Sequence, residues 1–174
     1  IKMGDLDEDM PLSIAADSLT LIFPDTTTTT VGEITTVALM VDTSTHLAGA
    51  NLRLTYDTTV VELITIIPQI ATDANLYFTP TTSGGVTLEW LPTNDTLVSK
   101  NDTLWQAQFR SLRAGVTAIN IDAMASQWIN RNLESVSLAV TMGIIASRPA
   151  DLNVQFQTNN VSCAGATDGS IILL

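Results

Sequence analysis

The sequence has few of the residues from which the common catalytic and metal sites are built. Its 174 residues include one cysteine, Cys163, and one histidine, His46. A single cysteine cannot form a disulfide within the chain, so cysteine content does not indicate a compartment. One histidine and one distant cysteine cannot supply the ligands of a usual zinc site. The sequence also lacks a glycine-rich phosphate loop and a nucleophile elbow, so no familiar catalytic motif is present.

Positive charge and long hydrophobic runs are scarce as well. There are 7 Lys and Arg residues against 18 Asp and Glu residues, which gives a formal net charge of -11. A polyanion would be repelled by this charge, which argues against nucleic-acid binding. Hydrophobic residues make up 45% of the chain, but they occur in short runs. A membrane-spanning helix needs about 18 or more consecutive apolar residues, and none is found.

From Ser18 to Ile145 the sequence consists of short β-rich runs separated by turn residues, with little helical periodicity. This pattern predicts an all-β fold. The density of strands favours a sandwich or jelly roll over alternating strands and helices. The nine predicted strands are Ser18–Phe23, Glu33–Asp42, Gly49–Tyr56, Val60–Ile67, Leu76–Thr79, Val86–Leu91, Thr103–Leu112, Thr117–Ile121 and Val136–Ile145.

Three of these strands alternate clearly enough to predict which side chains face the core, because successive side chains of a strand point to opposite faces. The predicted inward rows are Leu52, Leu54 and Tyr56; Val86, Leu88 and Trp90; and Trp105, Ala107 and Phe109. The predicted outward rows are Asn51, Arg53 and Thr55; Thr87, Glu89 and Leu91; and Gln106, Gln108 and Arg110.

The two ends depart from this pattern, which suggests a division of the chain. Residues 1–17 are acidic and resemble a linker or the end of a preceding domain, 18–146 form the sandwich, and 147–174 read as a linker and the first strand of a following repeat. The apolar residues Ile171, Ile172, Leu173 and Leu174 predict a strand. An unpaired apolar strand invites aggregation, so we expect its partner strand to come from a larger parent chain or a neighbouring copy.

Several segments of the sandwich occur in the order typical of the cohesin family. The segment from Leu52 to Leu63 includes Tyr56 and Asp57, and it resembles the family's third strand, a Tyr-Asp turn and the next strand. The segment from Val86 to Trp90 is similar to the sixth strand. The segments from Leu104 to Arg110 and from Ala114 to Ile119 are similar to the seventh and eighth strands. The resemblance covers about residues 18–145.

This resemblance implies a nine-strand jelly-roll sandwich that binds a dockerin, a small calcium-loaded helical module, through one sheet face. Transferred strand by strand, the candidate partner-binding residues are Asn51, Arg53, Thr55, Thr87, Glu89 and Leu91. The alternative interpretation is that these six residues form an ordinary solvated sheet surface.

A second resemblance lies in the C-terminal segment. The run from Val161 to Ile171 is similar to the start of a β-rich repeat in surface adhesins of gliding bacteria, although three residues separate Cys163 from Thr167. The resemblance implies that Cys163 has a partner in the remainder of the repeat. The alternative is a lone thiol in a flexible end.

Weaker signals indicate possible modification and metal binding. Five Asp-Ser/Thr triplets resemble a short O-glycosylation signal of exported bacterial proteins, with acceptors at Ser18, Thr26, Thr58, Thr96 and Thr103. Such triplets also occur at the turns of any threonine-rich β protein. We expect Thr26–Thr30 to form an exposed extended loop or edge, with a glycosylated stalk as the alternative. Asp5, Asp7 and Asp9 alternate like the start of a calcium loop, but Met10 replaces the glycine that this loop needs. No other cofactor is expected.

The sequence leaves three functions open. The first is a non-catalytic protein-binding or adhesion module of a secreted, multidomain bacterial surface protein, bound to a dockerin-like partner. The second is a structural repeat that neighbouring copies extend into a fibre by strand addition. The third is a carbohydrate-binding module with Tyr77 and Trp128 as platforms, since Trp90 and Trp105 are assigned to the core. His46 is interpreted as an exposed loop residue and not as part of a catalytic triad.

Overall fold

The computed structural model describes residues 18–70, 75–81, 84–94, 96–151, 156–159, 163, 167 and 169–173. Within these residues the regular structure is β-strand, apart from one 3₁₀ turn at Ala123–Ala125. The strands are β1 (Ser18–Ile22), β2 (Thr27–Thr30), β3 (Ile34–Val41), β4 (Thr45–Leu47), β5 (Gly49–Thr55), β6 (Val61–Pro68), β7 (Asn75–Pro80), β8 (Val86–Leu91), β9 (Thr96–Val98), β10 (Thr103–Ser111), β11 (Gly115–Ile121), β12 (Gln127–Ile129), β13 (Ser137–Thr141), β14 (Gly143–Arg148), β15 (Phe156–Asn159) and β16 (Ser170–Leu173).

Two large sheets form the sandwich. The first sheet has the strand order β13-β1-β3-β10-β6. The second has the order β2-β14-β11-β5-β8-β7, and β12 pairs with β5 beside β11. The prediction of an all-β sandwich is confirmed, and eight of the nine predicted strands are present as single strands, while the ninth is divided in two. The structure adds short strands that the sequence pattern did not reveal.

Two of the added strands, β2 and β4, lie in segments that the sequence pattern predicted as a loop or edge and as a turn. Thr27–Thr30 forms β2, which pairs in parallel with β14 at one edge of the second sheet. The β-branched threonines favour this extended edge, as expected. His46 lies in β4 opposite Leu97 of β9 and is half-buried. The prediction of an exposed loop histidine is therefore wrong, because a three-residue strand is too short to show alternation.

The segment predicted as a single strand from Val136 to Ile145 is divided between the two sheets. β13 pairs in parallel with β1 in the first sheet, and β14 pairs in parallel with β2 in the second. Both chain segments therefore cross from one sheet to the other at the same level. Gly143 lies at this crossing, where a Cβ atom would approach the Phe23 Cβ to 2.7 Å and the Pro24 carbonyl oxygen to 2.8 Å. Only glycine fits there without a backbone shift.

We predict that Gly143→Ala lowers the free energy of unfolding by about 1–3 kcal/mol, because the added methyl group overpacks the crossing. Gly49→Ala is the matched control in the same sheet, since its Cβ would lie 3.4 Å or more from its neighbours. Urea unfolding of both variants measures the difference. Equal stability of the two variants would contradict the crossing geometry.

The predicted inward rows line one shared core. Leu52, Leu88 and Phe109 are almost fully buried, and Tyr56 is half-buried against the same core. All three tryptophans of the chain meet there. Trp105 from β10 stacks on Trp128 from β12 with ring centroids 5.7 Å apart, and Trp90 from β8 meets the other two at 6.1 and 6.2 Å. The rows are confirmed, and the indole rings join the first sheet to the second.

A separate two-stranded sheet follows the sandwich. β16 pairs antiparallel with β15, with Ile171 opposite Thr158 and Leu173 opposite Phe156. The expectation that the partner strand comes from outside these residues is wrong for this edge of β16, because β15 supplies that strand. Leu174 lies outside the described residues.

In the described part of the chain, no helix has the length and apolar character needed to cross a membrane.

Candidate protein-binding face

The six predicted partner-binding residues lie together on the outer face of the second sheet. β5 and β8 are neighbours, with Asn51 opposite Glu89 and Arg53 opposite Thr87. Thr55 follows at the end of β5, and Leu91 follows at the end of β8. Leu91 is 50% exposed, whereas Arg53 is half-buried. The structure thus brings all six predicted residues onto one continuous surface.

The register extends this surface onto the flanking strands. Tyr77 of β7 lies opposite Glu89, and Gln127 of β12 lies opposite Asn51. Tyr77, Glu89, Asn51 and Gln127 therefore form one row across four adjacent strands. We name this row the polar row.

A second part of the face was missed by the sequence analysis. Val116 and Ala118 of β11 point outward, and Ala118 lies opposite Ile144 of β14. Met142 and Asn120 line the same shallow surface. The signal was present, because Thr117, Ile119 and Ile121 alternate with these positions and are buried. The outward-facing alanine and valine obscured it, because apolar residues on both faces of a strand hide the alternation.

The exposed large apolar side chains are unequally divided between the two outer faces. On the strands of the second sheet they are Tyr77 at 60%, Leu91 at 50%, Val116 at 67% and Ile144 at 36% exposure, and Met142 at 56% directly precedes β14. On the first sheet they are Ile34 and Ile67, and Leu112 at 45% directly follows β10. The outer face of the first sheet also carries the half-buried pair Ile22 and Met40, beside mainly Thr, Gln and Ala. A cluster of exposed apolar side chains marks an interaction surface.

The 3₁₀ turn interrupts the pairing partner of β5 in the middle of the face. Asp122 caps this turn by accepting hydrogen bonds from the backbone N–H groups of Met124 and Ala125 at 3.1 and 3.2 Å. The backbone N–H of Arg53 donates to Ser126 Oγ at 3.0 Å, and the Asp122 N–H donates to the Arg53 carbonyl at 2.9 Å. The backbone N–H and carbonyl of Arg53 are therefore satisfied although neither β11 nor β12 pairs with Arg53 on this side. Met124 at the tip of the turn is 98% exposed.

The turn after β5 fixes one end of the face. Asp57 accepts hydrogen bonds from the backbone N–H and the hydroxyl of Thr59 at 2.8 and 2.6 Å. Its own N–H donates to the buried hydroxyl oxygen of Thr117 at 2.8 Å, which joins the turn to β11. The hydrogen bonds from Thr59 hold the pKa of Asp57 below its ordinary value of 3.8, and the nearby Arg113 acts in the same direction. The prediction that Asp57 starts this turn is confirmed.

We predict that the pKa of the Asp57 carboxyl lies below 3.8 and rises in Thr59→Ala, because the side-chain hydrogen bond is its largest cause. A lowered pKa means that the stabilisation from Asp57 is present above the unfolded-state value and is lost as pH falls through the folded value. Carboxyl carbon NMR titration measures both proteins. An unchanged pKa in Thr59→Ala would contradict this geometry.

Tyr56 closes the core next to this turn. Its ring meets Phe109 edge-on with centroids 5.2 Å apart. Burial raises the pKa of the phenol, and the Glu62 charge adds to this effect while a hydrogen bond with the Leu63 backbone opposes it. The Tyr56 ring therefore packs on the core side of the second sheet, beneath the candidate binding face.

The remaining predicted site residues lie in different surroundings. Among the possible glycosylation acceptors, Ser18, Thr26 and Thr58 are exposed, whereas Thr96 and Thr103 are half-buried within strands. Thr96 Oγ1 also donates to the Asn94 carbonyl at 3.1 Å. The candidate calcium ligands Asp5, Asp7 and Asp9 lie outside the described residues. Cys163 is exposed as a free thiol.

The predicted carbohydrate platforms do not form a pair. Tyr77 is 60% exposed, but Trp128 is 1% exposed within the tryptophan cluster. The prediction for Trp128 is wrong, because β12 is too short to show its inward face in the sequence.

Comparison with solved structures identifies the architecture. The chain superimposes on the cohesin CaCohA2, crystallised in complex with a CaDoc0917 variant, with a TM-score of 0.63 and 17% identity, over 75% of this chain and 100% of that one. It superimposes on the Coh-OlpC cohesin from Clostridium thermocellum, crystallised with Doc435, with a TM-score of 0.64 and 13% identity, over 78% and 97%. The fold is cohesin-like.

A cohesin-like fold is not confined to dockerin complexes from cellulosomes. A non-cellulosomal cohesin from the archaeon Archaeoglobus fulgidus matches with a TM-score of 0.64 and 15% identity, over 75% of this chain and 91% of that one. No protein-family model matches the sequence, and no curated protein matches it. At these identities the comparisons show the fold.

Proposed function

We propose that this chain is a protein-binding module that holds a partner on the outer face of its second sheet. The observation that carries the proposal is the concentration of exposed apolar side chains on this cohesin-like face. Tyr77, Leu91, Val116, Met142 and Ile144 flank the polar residues there. Protein interfaces combine apolar contacts with direct hydrogen bonds from polar groups, and this face offers both.

The known partners of similar folds support a protein ligand. The CaCohA2 and Coh-OlpC cohesins were crystallised with dockerins. A dockerin-like module is accordingly our first candidate partner. We infer a binding role and not a catalytic one, because the one histidine, His46, lies in β4 and the sequence has no nucleophile motif for it to serve. A carbohydrate ligand is less well supported, since only Tyr77 of the two predicted platforms is exposed.

The cellular setting is part of the proposal. The acid-rich composition, the cohesin-like fold and the adhesin-like segment around Cys163 support a secreted or cell-surface location in a multidomain bacterial protein. The division at residues 1–17, 18–146 and 147–174 remains a prediction. Glycosylation at Ser18, Thr26 or Thr58 is compatible with this setting because these acceptors are exposed.

A second candidate function is favoured by the C-terminal hairpin. β15 and β16 form a two-stranded sheet, and such hairpins are marginally stable by themselves. β16 has a second edge that a strand from a neighbouring copy of this chain could extend. This would join copies into a fibre by strand addition. This function predicts that the chain forms filaments that electron microscopy detects. Deletion of residues 152–174 should then abolish the filaments and leave the sandwich folded.

We predict that a face variant, Leu91→Lys with Val116→Lys, loses partner binding by about tenfold or more, because two anchors become charged. The chain is immobilised, and secreted proteins of its source organism are captured and quantified by mass spectrometry. Ile34→Lys with Ile67→Lys is the matched control on the opposite face, where both side chains are similarly exposed.

The proposal requires at least one protein that the wild type and the control variant retain and that the face variant loses. If every captured protein binds all three forms equally, the outer face of the second sheet is not the binding surface. Thermal unfolding of each form establishes that the substitutions leave the sandwich folded.

A further inference from the structure

Two adjacent rows on the proposed binding face differ sharply in chemistry. Three members of the polar row, Glu89, Asn51 and Gln127, lie side by side on β8, β5 and β12. One step along the strands, Leu91 and Ile129 flank Gly49, forming what we name the apolar row. A Cβ atom on Gly49 would lie 3.5 Å from both Leu91 Cδ2 and Ile129 Cδ1. Because Gly49 has no side chain, the Leu91 and Ile129 side chains both approach the space beside its Cα atom.

Together the two rows line a shallow depression of about 180 Å³. Leu91 and Ile129 provide its apolar wall, and Asn51, Glu89 and Gln127 provide its polar wall. The five side chains come from three strands whose register is fixed by backbone pairing. The depression is thus held by the sheet itself and not by a loop.

Glu89 gives the depression its charge. It is exposed, and it is the only carboxylate on the strands of the second sheet within the described residues. On the described surface elsewhere, Asp42 pairs with Lys100 at 2.7 Å and Glu62 pairs with Arg110 at 3.5 Å. No ion pair engages Glu89 in the described part of the chain. A carboxylate accepts hydrogen bonds only, so its complement is a cationic donor.

The geometry points to an anchor subsite that takes a basic side chain and an aliphatic side chain side by side from the partner protein. This inference rests on the proposed function and names the chemistry of its partner. Lys or Arg of the partner contacts Glu89, with the amides of Asn51 and Gln127 beside it. The aliphatic group packs between Leu91 and Ile129. Residues two apart in a strand are separated by about 7 Å, which sets the spacing of the two partner groups.

The overall charge of the chain acts in the same direction. A formal charge of -11 attracts a cationic surface and repels an acidic one during encounter. The aliphatic contact then supplies the apolar burial that an exposed ion pair lacks. At this subsite the occupant is consequently a basic side chain with an aliphatic one beside it, and not an acidic side chain.

The experiment selects a phage-displayed library of random linear peptides on the immobilised wild-type chain. We expect the enriched peptides to combine Lys or Arg with a nearby Leu, Ile, Val or Met. Their affinity should fall about tenfold or more for both Glu89→Gln and Leu91→Ala. Glu62→Gln and Ile67→Ala are the matched controls on the opposite face and should bind as the wild type does.

The outcomes separate the subsite from the wider proposal. Peptides that lose affinity for Val116→Ser but not for Glu89→Gln or Leu91→Ala would overturn the subsite and leave the binding face in place. Enrichment of acidic peptides would overturn the subsite as well. Peptides that lose affinity only for Glu62→Gln or Ile67→Ala would overturn the proposed function itself.

Discussion

The structure depends on the packing of tryptophan side chains from two sheets into one interior. Trp105 of the first sheet stacks on Trp128 and meets Trp90, both of which belong to the second sheet. Because strand side chains alternate, placing Trp90 inside forces Glu89 and Leu91 outside. The same rule places Asn51 and Arg53 on the surface once Leu52 is buried. The composition of the proposed binding face is therefore a direct consequence of the core.

Polar groups complete the closure of the sandwich where the two sheets meet. The buried hydroxyls of Ser111 in β10 and Ser147 in β14 hydrogen-bond to each other across the sheets. At the other end of β14, Gly143 allows the chain to pass against Phe23 and Pro24. Backbone pairing aligns β14 with β11 and places Ile144 beside Ala118 on the outer face.

The sequence was informative wherever a strand was long enough to show alternation. The rows through Leu52, Leu88 and Phe109 could be predicted, because each alternates over five or more residues. The inward position of Trp128 and the strand at His46 could not, since three residues define no period. The change of sheet at Gly143 was hidden for another reason. It is set by contacts with Phe23 and Pro24, which lie far away along the chain.

The candidate site shows the same boundary between local and non-local information. The six residues carried over from the family resemblance lie together because β5 pairs with β8. They could be predicted because the sequence pattern shows both strands. The depression beside them needs β12, whose pairing with Gly49 and Asn51 follows from the 3₁₀ turn and from the burial of Trp128. Neither feature has a sequence signature that short-range patterns detect. The depression could therefore not be predicted, because it depends on long-range strand pairing.

The most direct measurement of the shared core is the set of nuclear Overhauser contacts between the indole rings in solution. We expect contacts from the Trp105 ring to the rings of both Trp90 and Trp128, together with slow exchange of the β5 and β8 amides. Tryptophan rings without mutual contacts and accessible to a soluble quencher would contradict this packing. The alternation that defines the proposed binding face would then have no common core to fix it.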